Sequence, residues 1–210
     1  MNLHQALRLY FIMGSQNTKA DPETVLKQAI QGGITCFQYR EKGSGAKTGE
    51  DRFHLGEKLR ELCATNEVPF IVNDDIELAR ALDADGIHIG QGDLPMKEAR
   101  EKIPSHMIIG LSTSTVEESI QAEKDGADYI GVGPIFATNS KEDALQPIHI
   151  QGLKEIREAV PSMPIVVIGG MNASNAKEAM DAGANGVSLI SAISQATDVT
   201  EATSRLRSIV

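Results

Sequence analysis

The sequence predicts an α/β protein built as a single (β/α)8 TIM barrel, and three observations carry that reading. Short β-branched runs alternate with amphipathic helical stretches from end to end of the 210 residues, the pattern of βαβ units on a parallel sheet. A weak internal repeat marks the junctions. Asp83-Ala84-Asp85-Gly86, Asp125-Gly126-Ala127-Asp128 and Ala182-Gly183-Ala184-Asn185-Gly186 each read as a helix end, a turn residue and then a buried strand. Eight strand candidates fit a barrel whose range begins near roughly 200 residues, and no composition break or linker divides residues 1–210. Periodicity does not demonstrate closure, so a doubly wound open sheet is the structural alternative.

The strand candidates are Leu9–Met13, Ile34–Arg40, Pro69–Asn73, Gly86–Ile89, Met107–Ser112, Tyr129–Gly133, Ile165–Ile168 and Val187–Ile190. Helical patterns lie between them at Pro22–Gln31, Glu50–Asn66, Val116–Lys124 and Ala173–Ala182. Asp21 before Pro22 is an N-cap followed by Pro at the first helical position, and Asn172 is placed to cap its helix.

Composition limits the partners. The chain is 41% hydrophobic and 23% charged, with a net charge of −9. That balance argues against nucleic acid or an anionic membrane, both of which need a basic face. No apolar run nears the ~20 residues of a membrane span. The Leu7–Met13 stretch is too short for a signal h-region. Cys36 and Cys63 form neither C-x-x-C nor a metal cluster, so a cytoplasmic location is expected. The sequence leaves oligomeric state open, a homo-oligomer included.

A barrel builds its active site at the strands' C-terminal ends, and polar residues collect there. Alternation puts Cys36, Gln38 and Arg40 on one face of the second strand and Phe37 and Tyr39 on the other. If the aromatics pack on helices, Gln38 and Arg40 face the barrel interior, and Lys42 follows. The third strand ends Asn73-Asp74-Asp75, with Asp75 as the expected cap of the next helix. The fourth leads to Asp93. Asp74 and Asp93 then sit on neighbouring strand ends, where paired carboxylates suit magnesium; alternatively, Asp93 starts the turn before Leu94-Pro95. His88 faces inward and is expected to be a hydrogen-bonded barrel histidine with no chemical role. After Ser112, one hydroxyl of Thr113-Ser114-Thr115 caps the next helix and another is free to reach a phosphate. Thr138-Asn139-Ser140-Lys141 opens the longest irregular stretch, which is expected to be functional. Gly169-Gly170 and Ile190-Ser191 follow strands seven and eight, where barrels commonly bind phosphate. Two look-alikes fail. Gly45-Ala46-Lys47-Thr48 lacks the glycines of a phosphate-binding loop, and Gly131-Val132-Gly133 lacks the third glycine of a dinucleotide fingerprint.

Gln38-Tyr39-Arg40-Glu41-Lys42, Asn73-Asp74-Asp75, His88 to Asp93, Gly133-Pro134-Ile135-Phe136 with Thr138 to Lys141, and Gly169-Gly170 occur in this order. Together they resemble the motifs of the thiamine-phosphate synthase family, from about residue 9 to 195. The resemblance implies a (β/α)8 transferase that couples hydroxymethylpyrimidine diphosphate to hydroxyethylthiazole phosphate and releases pyrophosphate. It implies that Gln38 lies near the pyrimidine. Arg40, Lys42, Asn73, Ser112 and Lys141 hold the diphosphate, and Asp74 and Asp93 hold Mg2+. Thr138 and Ser140, with the backbone at Gly170, Ile190 and Ser191, hold the thiazole phosphate. Arg40, Lys42 and Lys141 carry the catalytic charge stabilisation, and a pyrimidine carbocation is the implied intermediate. Ser140 stands where Thr is common, and Glu142 to Pro147 lacks the usual glycine-containing run.

Three other functions compete for these residues. A thiazole tautomerase of the same superfamily needs a general acid/base, placed as a His after the fifth strand, where this chain has Ser112-Thr113-Ser114. A sugar-phosphate isomerase shares the glycine site but has no use for the Arg40–Lys42 and Asp74/Asp93 cluster. A silent barrel binding thiazole phosphate as a regulator has no need of Lys42, Asp74, Asp93 and Lys141.

Overall fold

The computed structural model describes residues 2–138 and 146–210. Eight parallel strands close into a barrel in sequence order, with β1 hydrogen-bonded to both β2 and β8. The strands are β1 Leu9–Met13, β2 Cys36–Tyr39, β3 Phe70–Asn73, β4 Gly86–Ile89, β5 Ile108–Thr113, β6 Tyr129–Val132, β7 Ile165–Val167 and β8 Gly186–Leu189. Closure rules out the open sheet. The helices are α1 Leu3–Ala6, α2 Pro22–Gln31, α3 Gly49–Thr65, α4 Ile76–Ala81, α5 Met96–Lys102, α6 Val116–Lys124, α7 His149–Ala159, α8 Ala176–Asp181, α9 Ser191–Ser194 and α10 Val199–Arg207.

Local chemistry sets the helix starts. Asp21 accepts from Thr24 N at 2.9 Å and Pro22 supplies the fixed first turn of α2. Asp75 caps α4 through Leu78 N. Thr115 and Glu118 form a reciprocal capping box on α6. Asn172, in contrast, does not cap the seventh strand's helix. It binds Ser174 N and Oγ in a turn, and α8 starts three residues later than expected, at Ala176.

The pleat separates two cores. Outward residues such as Phe11, Phe37, Tyr39 and Phe70 pack against the helices, while Tyr10, Ile12, Cys36, Ile71, Tyr129 and Val166 fill the barrel. Fully burying each large apolar side chain contributes roughly 1.5–3 kcal/mol. The second strand therefore faces as its alternation requires, with Cys36 and Gln38 inside and Phe37 and Tyr39 outside.

The repeat seen in the sequence has a further meaning at the barrel's lower rim. The residue preceding each even strand accepts from an N–H of the odd strand before it: Thr35 from Leu9 at 2.8 Å, Asp85 from Phe70 at 2.8 Å, Asp128 from Ile109 at 2.7 Å and Asn185 from Ile165 at 2.8 Å. Each returns its own N–H to the carbonyl of the same partner. Arg100 Nη2 bonds Asp128, and Arg157 Nη2 bonds Asn185.

Candidate active site at the barrel mouth

A cavity of about 420 Å³ opens at the strands' C-terminal ends. Arg40, Lys42, Asn73, Asp74, Asp93 and Ser112 line one side, and Thr138, Gly169, Gly170, Ile190 and Ser191 line the other. Of the residues expected there, Ser140 and Lys141 lie outside the described residues. Gln38 is buried lower down, where its Nε2 donates to Tyr10 Oη at 2.9 Å. It lines a smaller cavity of about 20 Å³ beneath the mouth, together with His88, Ser112 and Ser188.

The β2 end is shaped by its neighbours. Gln16 Nε2 donates to the carbonyls of both Arg40 and Lys42. Glu41 turns away from the cavity and accepts from Ser15 N, Ser15 Oγ and Lys47 N. The charge run thus splits, with Arg40 and Lys42 at the cavity wall and Glu41 holding the loop. Gly14 permits the approach, because a Cβ there would overlap the Arg40 carbonyl.

Asp74 follows β3 with φ of +62°, and its N donates to the His88 carbonyl at 2.8 Å. Lys42 Nζ lies 2.6 Å from its Oδ2. Burial pushes the Asp74 carboxyl above the usual carboxylate range; Asp93 adds to the rise and Lys42 partly opposes it. The bond to Asp74 raises Lys42 in turn. Asp93 Oδ2 accepts from Gly90 N at 2.7 Å and Asp93 N donates back to the Gly90 carbonyl, so Asp93 ends a turn that begins at Gly90 rather than starting one before Leu94-Pro95, and it remains on the cavity wall.

On the opposite wall, Gly169 and Gly170 take φ of +94° and +64°. A Cβ on Gly170 would lie 2.7 Å from Ala137 O and from Phe136 Cβ. Asn172 Nδ2 and Asn175 Nδ2 both donate to the Gly170 carbonyl, which orients its peptide. Ser114 N and Oγ bind Glu118 Oε2, so this residue belongs to the start of α6.

Sequence reasoning gave His88 no chemical role. It is the hydrogen-bonded barrel histidine expected, and the structure makes it a link in a polar rod: Nδ1 lies 3.0 Å from Tyr129 Oη and Nε2 3.0 Å from Ser112 Oγ. Tyr10 and Tyr129 escaped notice as polar residues. The available signal was that both stand on inward-facing positions, where a hydroxyl needs a partner.

A closed parallel barrel that gathers basic side chains, two carboxylates and glycine backbone around one mouth defines an enzyme acting on phosphorylated small molecules. The family model "Thiamine monophosphate synthase" matches residues 9–193. A thiamine-phosphate synthase of Oceanobacillus iheyensis is 51% identical over 164 residues, covering 78% of this chain and 79% of the relative. One from Geobacillus kaustophilus is 51% identical over 168 residues, covering 80% and 76%. The solved thiamine phosphate pyrophosphorylase of Pyrococcus furiosus superposes with a TM-score of 0.89 at 38% identity, covering 99% of this chain and 97% of that one. The chain belongs to the thiamine monophosphate synthase family, and it is a transferase of thiamine biosynthesis. The tautomerase reading finds no support.

Proposed function

We propose that the synthase reaction runs in the mouth cavity, with hydroxymethylpyrimidine diphosphate on the basic wall and hydroxyethylthiazole phosphate on the glycine wall. The observation that carries this division is that one cavity holds both walls, each suited to one phosphorylated partner. Arg40 and Lys42 bind the diphosphate by charge, and Asn73 and Ser112 by hydrogen bonds. Gln38 gives its Nε2 to Tyr10, leaving Oε1 to accept from the pyrimidine amino group. Thr138 and the backbone at Gly170, Ile190 and Ser191 receive the thiazole phosphate. Ser140 and Lys141 are proposed to join the two phosphate sites.

Magnesium fits Asp74 and Asp93. Both donors are hard carboxylate oxygens, and Asp93 adds to the cost of charge on buried Asp74, which a divalent cation relieves. Bound there, magnesium would neutralise charge on the departing diphosphate. The C–O bond at the pyrimidine CH₂ breaks with its electron pair leaving on pyrophosphate. The thiazole nitrogen supplies a lone pair to the same carbon. No proton moves, so no general base is required. Arg40, Lys42 and Lys141 act where negative charge grows. Two buried free thiols, Cys36 and Cys63, fit a reducing compartment, the cytoplasm.

The test is incubation with both substrates and magnesium, following pyrophosphate and thiamine phosphate. Isomerisation of a thiazole carboxylate phosphate without coupling would overturn the assignment.

A further inference from the structure

Beneath the mouth, five side chains form an unbroken hydrogen-bonded rod across the barrel interior. Gln38 Nε2 donates to Tyr10 Oη at 2.9 Å, Tyr10 Oη meets Tyr129 Oη at 2.9 Å, Tyr129 Oη meets His88 Nδ1 at 3.0 Å, and His88 Nε2 meets Ser112 Oγ at 3.0 Å. The space is purpose-made. A Cβ on Gly110 would lie 2.5 Å from His88 Nδ1 and overlap the Tyr129 ring, and one on Gly131 would lie 2.9 Å from His88 Cε1. The two rings sit 5.5 Å apart as a result.

The rod has a direction. An amide NH₂ only donates, so Tyr10 accepts from Gln38, and its buried hydroxyl proton, which needs an acceptor, goes to Tyr129 Oη at 2.9 Å. With its oxygen accepting from Tyr10, the buried Tyr129 hydroxyl satisfies its own proton by donating to His88 Nδ1, which is bare in this arrangement. The neutral ring carries its proton on Nε2 and gives it to Ser112 Oγ. Ser112 thus accepts from below, and its hydroxyl proton is left for the mouth cavity that it also lines. A diphosphate bears only acceptors, so a Ser112 aimed this way binds it, whereas the reverse polarity would point lone pairs at the anion.

We propose that Tyr10 and Tyr129 are positioning residues that hold His88 in its Nε2–H tautomer and so aim the Ser112 hydroxyl proton at the substrate's diphosphate. This rests on the proposed role of Ser112 in diphosphate binding. The tyrosines touch no substrate in this scheme; they act through His88 and Ser112.

The tautomer is read without ligand, by side-chain ¹H–¹⁵N spectra above the ordinary histidine range of about 6.5. The chain has five histidines, and His88 is assigned as the signal missing from His88→Asn. A bare Nδ1 and protonated Nε2 are expected, and the opposite tautomer in the wild type overturns the proposal. In Tyr129→Phe the signal should show mixed tautomers, and magnesium pyrophosphate should bind roughly tenfold more weakly, the worth of one well-made hydrogen bond to a charged group. Tyr10→Phe supplies the same readout if Tyr129→Phe does not fold. Because the effect runs through Ser112, adding Tyr129→Phe to Ser112→Ala should weaken pyrophosphate binding no further. An equal loss in both backgrounds means that Tyr129 is merely structural and overturns the proposal. A wild type with the expected tautomer that binds no magnesium pyrophosphate overturns the diphosphate site itself, and so the two failures are distinguishable.

Discussion

Lys42 and Asp74 meet across neighbouring strand ends, with the ammonium nitrogen 2.6 Å from Oδ2. Even with this partner, the Asp74 carboxyl stays above the ordinary range, because burial and Asp93 outweigh the lysine. A raised carboxyl binds its proton more tightly in the folded state. Its contribution to stability is therefore present below the unfolded value and fades as pH rises through the folded one. Ionised Asp74 is thus a cost that the fold carries. Asp74→Asn should melt at or above the wild-type temperature in metal-free buffer at neutral pH, yet lose activity. Melting curves and initial rates measured side by side decide this, and a markedly lower melting temperature would contradict it.

Magnesium dependence gives the companion prediction. Asp74→Asn and Asp93→Asn should each raise the magnesium concentration needed for half-maximal rate, by about 10–100-fold if they weaken the ion as lost polar partners typically do. Excess chelator should silence the wild type. Wild-type rates in chelator, or unaltered metal titrations in both variants, would remove the ion from this pair.

Lys141 and Ser114 separate charge stabilisation from helix initiation. Lys141→Ala should lower kcat by roughly 10²–10³, the cost of one well-placed electrostatic donor. Ser114 is occupied with Glu118 at the start of α6. Ser114→Ala should leave kcat nearly intact, with a stability loss of about 0.5–1.5 kcal/mol for the one side-chain hydrogen bond to Glu118. Steady-state kinetics on both variants provide the check, and reversed effects would refute it.

Gly170→Ala tests the glycine wall. Its φ of +64° and the 2.7 Å approach to Ala137 O leave a methyl group nowhere to go without moving the loop. KM for thiazole phosphate should rise about tenfold or more while KM for the pyrimidine diphosphate changes little. Equal effects on both substrates would mean that the two walls are not divided as proposed.

Arg157 lies at the far end of the barrel. It donates to the carbonyls of Gly183, Val160, Pro161 and Met163 and to Asn185 Oδ1. Arg157→Ala should cost about 2–3 kcal/mol in denaturant unfolding and leave kcat of the folded enzyme unchanged. A fall in kcat at full folding would show that the two ends of the barrel are coupled.

Local signals made much of this legible in the sequence. Asp21-Pro22 and Asp75 act within one helical turn and cap as their spacing indicates, and of the three hydroxyls at Thr113-Ser114-Thr115 it is Thr115 that caps α6. Alternation alone placed Gln38 inside and Tyr39 outside, since the pleat has no other choice. Strand ends were less legible. Arg40 continues the β2 run, yet β2 stops at Tyr39, because the chain is drawn off by Gln16 and by Ser15 through Glu41. Asn172 looked like a cap, but its side chain and that of Asn175 are drawn to the Gly170 loop. The roles of His88, Asp85, Asp128 and Asn185 depend on partners at least fifteen residues away, and no spacing rule reaches that far.

The side-chain bonds beneath the odd strands tie the wall into four successive strand–helix–strand quarters, each with its pairing fixed at the end remote from the chemistry. Such a wall is modular. A quarter copied in tandem carries its own registration mark, so duplicated units meet their neighbours already aligned. Loops at the mouth can then be exchanged, lengthened or recoded for another phosphorylated substrate without disturbing how the strands find one another. Changes at the two ends should accumulate independently, which lets a lineage explore new specificities while its scaffold stays the same.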